Sequence, residues 1–468
     1  MYKILTIGIL AAVLFAGCTL GPDFKKPTPD IPKKYKYETA NPDSLTNIKW
    51  WTLFDDPALD TLVKQALANN KDLQVAAWRI KEYQASLGFT SSDQYPSLDY
   101  EGGASRGNFI KGMTPGSEAN AFYLAPILSW EIDFWGKYAR LTESARADLL
   151  ASEYSLRTIQ ISLISEVVAS YFQLLDYRER LEISLSTLSS REKSLGLIQQ
   201  RFDGGIIPEI DLNQAQIQRE IAAASVPYYD RLVKKTENAL SILIGKLPDN
   251  VKVGVGIHEQ TAPPKIPSGL PSQLLSRRPD IMEAENQLRS QNAQIGAAQA
   301  MRLPSIGLTG MGGLSSSELE DFTSSSGWSL AGTITGPIFN FGKNLARVEI
   351  EEARTKQSLY NYESTVLGAF RDVEDALIEI ETYRDQLSAM ERQYTAAKSA
   401  LDLSQMRYDK GESSYLEVLE QERTLFQVNL DFSQIKQAYL NSYINLYKAL
   451  GGGWISEEEM NSELNQLK

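Results

Sequence analysis

Residues 167–205 read VVASYFQLLDYRERLEISLSTLSSREKSLGLIQQRFDGG, and residues 373–411 read VEDALIEIETYRDQLSAMERQYTAAKSALDLSQMRYDKG. In the first stretch Val167, Leu174, Leu181, Leu188 and Leu195 stand seven apart; in the second, 206 residues later, stand Val373, Ile380, Leu387, Tyr394 and Leu401. An apolar residue at every seventh position keeps one face of a helix apolar over many turns, the pattern of a coiled-coil seam. Both seams run into a turn signal, Arg201-Phe202-Asp203-Gly204-Gly205 and Arg407-Tyr408-Asp409-Lys410-Gly411. Gly205 and Gly411 are expected at the C-caps, where positive φ is needed.

Working outward, displacements of 206 to 208 relate Asp72-Leu73 to Asp280-Ile281, Tyr95-Pro96-Ser97 to Leu303-Pro304-Ser305, and Phe134-Trp135-Gly136-Lys137 to Asn340-Phe341-Gly342-Lys343. Leu240 to Gly245 likewise returns as Leu446 to Gly451. The chain is a duplication. Each copy predicts a helix of about 30 residues, two Gly-rich alternating segments, a helix of about 65, a tight turn and a helix of about 35. The long helices span Tyr138 to Phe202 and Asn344 to Tyr408, on the order of 100 Å each at 1.5 Å per residue. Pro208 is expected in the first turn of the next helix, and Ser414 with Glu417 is a candidate capping box.

The alternating segments are Ser97–Arg106, Ala121–Trp130, Ser305–Leu314 and Trp328–Gly336, each with the ~10-residue length of a tilted transmembrane strand. Four strands cannot close a membrane barrel, whose smallest form has about eight. An oligomer follows: three copies supply twelve strands, and two would reach eight.

The 468 residues are 43% hydrophobic and 23% charged, a globular balance. Lys plus Arg number 47 against 59 Asp plus Glu, and a net charge of −12 has the wrong sign for neutralising nucleic-acid phosphates. One Cys and one His exclude an internal disulfide and any zinc or iron site needing several imidazoles, which leaves only carboxylate-based metal sites; no cofactor or metal is assigned. Beyond residue 17 no apolar run approaches the ~20 residues of a spanning helix. A membrane crossing would therefore be made by β-strands.

The lone cysteine sits in a telling place. Lys3 precedes an apolar run from Ile4 to Ala16, followed by Gly17 and Cys18. This reads as a lipoprotein signal peptide over 1–17, with Cys18 as the acylated first residue of the mature chain. Thr19, in place of an Asp, favours delivery to the outer membrane. The remaining organisation is a Pro-rich extended segment (18–57), a first repeat (58–245), a Pro-rich connection (246–271), a second repeat (272–451) and an acidic C-terminal segment (452–468).

Leu274 to Ala300, LLSRRPDIMEAENQLRSQNAQIGAAQA, and Trp50 to Leu62, WWTLFDDPALDTL, together with Cys18, closely resemble the TolC-like outer-membrane efflux proteins, in their lipoprotein branch of OprM and NodT type. The resemblance covers nearly the whole mature chain. It implies a mainly α fold with a small membrane β part: a homotrimer whose twelve-stranded β-barrel in outer-membrane lipid continues into a periplasmic α-barrel tunnel. It also implies a periplasmic adaptor (membrane fusion protein) and, through it, an inner-membrane pump.

The resemblance further places the turns Phe202–Asp211 and Tyr408–Glu420 at the periplasmic tip. Glu417 and Glu420, spaced i,i+3 on one helix face, match the family's acidic constriction, and Asp211 matches the acid of the first repeat. In a trimer Glu417 and Glu420 would set six carboxylates about one axis, favouring cations. Alternatively, Glu417 only caps its helix with Ser414 and Glu420 is a solvated charge. Phe202, Gly205, Ile207, Arg407, Tyr408, Gly411, Ser413 and Tyr415 are the candidate gate and docking residues, Ser413 standing where some members carry a latching Arg.

Other motifs read as structural. Arg277, Arg278, Pro279 and Asp280 are expected to open and anchor a helix. His258, in the Pro-rich connection, is expected to be an ordinary surface residue. Gly336 to Lys343 mimics a phosphate loop, but its spacing is one residue too long and Asn344 replaces the needed Ser or Thr, so it reads as a strand-to-helix junction. Trp130, Phe134 and Trp135 fit either an interfacial girdle or internal packing.

The leading function is a passive exit duct of a tripartite efflux pump for small toxic molecules. The alternative within that class is the outer duct of type I protein secretion. A periplasmic coiled-coil adaptor has no use for four barrel-length strands, and an enzyme would need a clustered nucleophile, base or acid pair. Acylation is directly testable: radiolabelled palmitate is expected to enter the wild-type chain in growing cells, and Cys18→Ser is expected to abolish incorporation.

Overall fold

The computed structural model describes residues 19–37, 49–107, 119–263 and 271–452. The expected signal peptide, Cys18 and the acidic stretch 453–468 lie outside the described residues. Element order is α1 (Pro57–Asn69), α2 (Lys71–Ser92), β1 (Ser97–Gly107), β2 (Ala119–Ile132), α3 (Lys137–Asp203), α4 (Glu209–Leu243), α5 (Pro271–Arg277), α6 (Pro279–Ala300), β3 (Ser305–Ser316), β4 (Ser326–Thr335), α7 (Lys343–Asp409) and α8 (Tyr415–Ala449). Both long helices have 67 residues.

Two compact units divide the chain: Met1–Pro29, Trp78–Glu153 and Glu283–Ser364 form one, and Asp30–Ala77, Tyr154–Met282 and Thr365–Lys468 the other. The first unit contains a four-stranded antiparallel sheet in the order β1-β2-β3-β4. Its register puts Leu98 opposite Leu128, Trp130 opposite Leu308, and Ile306 opposite both Ile132 and Ile334. Because side chains alternate with period two, these residues share one face with Tyr100, Leu124, Trp328 and Leu330. Gly310 lies between Leu128 and Leu330, and Gly312 opposite Trp328, so small residues accommodate large neighbours across the strands. The other face carries Asp99, Glu101, Ser129, Thr309 and Thr333, and there the Tyr123 hydroxyl donates to Glu101 at 2.7 Å. A one-residue slip would exchange the two faces.

Also in the first unit, residues from 19 onward form an extended strap. Leu20 N–H donates to the Trp135 carbonyl at 3.2 Å, and the buried Arg140 holds the Leu20 carbonyl at 2.9 Å and Asp23 at 2.9 Å. The chain that leaves Cys18 is thereby fixed beside the β2–α3 junction. At that junction Trp135 donates to the Pro304 carbonyl at 2.8 Å, and Trp130 donates to the Gln94 carbonyl at 3.1 Å. Gly336 to Lys343 links β4 to α7, as a strand-to-helix junction should.

The second unit holds the seams. Val167, Leu174 and Val373 are fully buried, Leu387 is nearly so, and the other seam positions are half-buried. The N-cap carboxylate of Asp56, buried before α1, accepts the Ala58 amide at 2.9 Å, the Tyr171 hydroxyl at 2.6 Å and Gln260 Nε2 at 2.7 Å. It ties the Pro-rich connection to α3.

Three expectations need correction. The first helix of each repeat is broken, at Asn70 and at Arg278. Asn70 accepts the Leu73 amide at 3.0 Å and donates to the Leu243 carbonyl at 3.0 Å. At the equivalent place Arg278 donates to the Ala449 carbonyl at 3.2 Å, to Asp280 at 2.6 Å and to Asp372 at 3.2 Å. Each break residue thus satisfies the last carbonyl of its repeat's final helix, which a continuous helix could not do. His258 has neighbours: its ring stacks on Phe432 at 4.8 Å, and Nε2 lies 3.6 Å from Glu179, while burial and Lys436 push its pKa down. Finally, α3 contains an 18-residue window with mean hydropathy 1.3, although no such run was expected. More than half of that window is buried (56%), because seam positions and their apolar flanks pack inward.

Arg278 is 11% exposed, and its loss leaves Asp280 and a helix-end carbonyl uncompensated, while Asp372 keeps Arg371 at 2.7 Å. Arg278→Met is expected to cost about 2 kcal/mol in thermal unfolding of the detergent-solubilised protein, against about 1 for Asn70→Ala.

Candidate functional site: the two helix turns

The turns α3–α4 and α7–α8 share one backbone solution. Gly205 and Gly411 have φ of 67° and 75°. Ile206 N–H reaches the Arg201 carbonyl at 2.9 Å and Gly205 N–H the Phe202 carbonyl at 2.8 Å; Glu412 and Gly411 repeat this on Arg407 and Tyr408, both at 2.9 Å. These paired bonds are Schellman motifs, which close a helix through a left-handed residue. Pro208 then serves as the N-cap of α4, one residue earlier than expected, and Ser414 as that of α8. The capping box does not form: Ser414 makes no side-chain cap bond, and the Glu417 carboxylate accepts Arg407 Nη1 at 2.7 Å instead.

Beneath the turns, Ile198, Ala215, Tyr415, Val418 and Leu419 form a buried cluster, with Ile207 and Tyr408 packed against it. Tyr408 and Tyr415 rings lie 5.4 Å apart, and the Arg201 guanidinium sits 4.8 Å from the Tyr408 ring. Tyr415 is only 5% exposed, with its phenol pKa pushed up by burial, so it is a core residue of the hairpin pair. Phe202 is half-buried and Ser413 keeps its hydroxyl buried without a partner. The exposed apolar side chains are Ile206, Ile210 and Leu416, at 74%, 60% and 58%. Sequence reasoning missed them, although Ile210 and Leu416 are equivalent positions of the two repeats.

The acidic candidates divide. Glu417 and Glu420 pair on their own chain with Arg407 and Arg423, while Asp211 has no side-chain partner among the described residues. These pairs are exposed and weak. Residues 201–211 and 407–423 together contain eight acids and four bases, so the turns keep a net charge of −4.

Further up the helices, Arg191 is 3% exposed. Its Nη1 donates to the Gln218 carbonyl at 2.6 Å and its guanidinium lies 5.0 Å from the Phe426 ring, yet Nε and Nη2 have no partner. Glu422 Oε2 is likewise buried and unpartnered. Burial lowers the Arg191 pKa and raises that of Glu422, the field of Arg191 opposing the latter only in part. Among the described residues no three His, Cys, Asp or Glu side chains converge to hold a metal.

Comparison with known proteins accounts for the duplication and the turns together. The outer membrane efflux protein family matches residues 62–246 and again 270–452. Over 453 residues the chain is 36% identical to the cation efflux system protein CusC of Escherichia coli (strain CFT073), covering 95% of this chain and 97% of that one. Over 465 residues it is 34% identical to the solvent efflux pump outer membrane protein SrpC of Pseudomonas putida, covering 97% and 99%. The solved structure of the outer-membrane channel OprN superimposes with a TM-score of 0.87 at 30% identity, over 93% of this chain and all of that one. With four barrel-length strands, two seamed rods and a double family match, this chain belongs to the outer membrane efflux protein family and is an outer-membrane efflux channel.

Proposed function

We propose that three copies of this chain form one duct, anchored by an acylated Cys18, that receives small toxic molecules from a periplasmic adaptor and inner-membrane pump and releases them outside the cell. The observation that carries this reading is the sheet, with one continuous apolar face and edges β1 and β4 each paired on one side only among the described residues. Within lipid those edges need partners, and three sheets supply the twelve strands of a closed barrel. The chain supplies a path and no chemical step. Relatives named for cations and for solvents support a duct that leaves substrate choice to its pump.

Ile206, Ile210 and Leu416 are the proposed adaptor contacts, since each is a large apolar side chain exposed at a helix turn. Photocrosslinkers at Ile206 and Leu416 are expected to capture an adaptor of a small-molecule pump in living cells. Capture of a secretion adaptor with an ATP-driven transporter would move the reading to protein export.

The same turns narrow the duct and favour cations through their net −4 per chain. Glu417→Gln with Glu420→Gln is expected to lower cation-over-anion selectivity in single-channel recordings; unchanged selectivity removes the acidic ring from the proposal. Glu422 adds a pH dependence. Its raised folded pKa means that the packed hairpins hold a proton more tightly than the unfolded chain does. That stabilisation is full below the unfolded value of about 4.5 and is lost as pH rises through the folded value. Glu422→Gln is expected to remove this falling limb from thermal melts recorded across the same pH range.

A further inference from the structure

Helices α4 and α8 occupy equivalent places in the two repeats, and the position that is Pro227 in one is Ser433 in the other, 206 residues on. Ser433 is fully buried and its hydroxyl donates to Asp176 at 2.6 Å, which pins α8 to α3 at that level. Asp176, itself 1% exposed, also accepts Arg180 Nε at 2.8 Å. At the same level α4 has the opposite chemistry. Pro227 carries no amide hydrogen, so the Ala223 carbonyl goes without its i+4 bond. Two residues earlier the Ser225 hydroxyl donates to the Ile221 carbonyl at 3.0 Å, a bond of the kind that bends helices. No other described helix has a proline in its interior.

Packing changes at the same residue. Above Pro227 the helix buries Tyr229, Val233 and Leu240, and Arg178 Nη2 on α3 holds Glu237 at 2.6 Å. Below it, α4 buries only Ala215 and Ala222. The equivalent stretch of α8, residues 415–432, buries Tyr415, Val418, Leu419, Phe426, Val428 and Leu430. The chain's own core thus holds the lower half of α4 through two methyl groups, and a segment with so little buried apolar surface opens at low cost.

A buried pair of charges lies beside this lower half. Arg191 on α3 makes one hydrogen bond, to the Gln218 carbonyl of α4 at 2.6 Å. Its Nε and Nη2, Gln218 Oε1 and Glu422 Oε2 are all buried without a partner. The guanidinium lies 5.0 Å from the ring of Phe426, one turn along α8 from Glu422, and the two charges act on each other across that gap. These atoms are already covered within a single chain, so neither a second copy nor an adaptor reaches them. Movement of the chain's own helices brings the donors to the acceptors.

We propose that α4 bends at Pro227 between two positions, and that when residues 209–226 swing away, Arg191 leaves the Gln218 carbonyl and closes an ion pair with Glu422. The pair supplies what both buried charges lack here, and the bond to Gln218 is what it replaces. The device is one-sided: Ala397 and Gln216 stand at the places equivalent to Arg191 and Glu422, and Ser433 at that of the proline. The α3–α4 turn sits at the end of the moving half, so bending changes the aperture of the tip, a consequence that rests on the duct reading above.

Hydrogen exchange of the detergent-solubilised channel, read by mass spectrometry, tests the hinge without reference to transport. Residues 219–230 are expected to exchange faster than 425–436 of α8, and Pro227→Ala to slow them about tenfold, the worth of one backbone hydrogen bond. Single-channel recordings test the switch. The wild type is expected to show two conductance levels, and Glu422→Gln to reduce occupancy of one of them by about tenfold or more, while Glu192→Gln, on the exposed side of α3, leaves both unchanged. Arg191→Lys, which keeps the charge, is expected to retain both levels. Exchange that is equal in the two segments and insensitive to Pro227→Ala overturns the hinge. Level occupancies unmoved by Glu422→Gln, in a variant whose heat-modifiable migration is that of the wild type, overturn the ion pair. A wild-type chain that forms no conducting channel defeats the duct reading instead, and exchange still judges the hinge.

Discussion

A strand edge inside hydrocarbon has no water to satisfy its N–H and C=O groups, and that constraint governs the rest of this molecule. Among the described residues, four strands leave two such edges per chain. Their glycines permit large apolar neighbours to cover one face, and their alternation reserves the other for Asp99, Glu101, Ser129 and Thr333. The sheet is therefore a segment of a wall and not a finished object. In the proposed barrel, hydrogen bonding alone calls for association of copies before any argument from transport arises.

Duplication is the economical route to such a wall, because one strand-pair and rod design is used twice. The repeats agree down to single hydrogen bonds. The two turns close with the same bond pairs, and Asn70 and Arg278, chemically unlike, each donate to the final carbonyl of their own repeat. Some differences between the copies fall at exposed charged positions. Asp211 stands unpaired while its counterpart Glu417 holds Arg407, and the β2–α3 junction is charge-balanced while the β4–α7 junction is cationic and apolar.

Much of the fold was legible because it is periodic. Heptads over 167–195 and 373–401 announced the rods, alternation announced the strands, and Gly205 and Gly411 announced the turns through their positive φ. The site was legible only in part. The resemblance put Tyr415 among the gate and docking candidates, but the cluster beneath claims its ring; Ile210 and Leu416 drew no reading, and they are exposed. His258 had no sequence neighbour of interest and acquired Phe432 and Glu179 from distant helices.

The sequence by itself determined what repeats locally: helix length, strand length, turn chemistry and the insufficiency of four strands, all consequences of backbone geometry and side-chain period. Only the tertiary structure decided which partner each charge and aromatic ring would find. It gave Arg407 to Glu417, withheld a partner from Nε and Nη2 of Arg191 and from Oε2 of Glu422, and among the described residues left Arg302 and Lys343 unanswered. Those choices depend on distances between elements far apart in the chain, which no local pattern encodes.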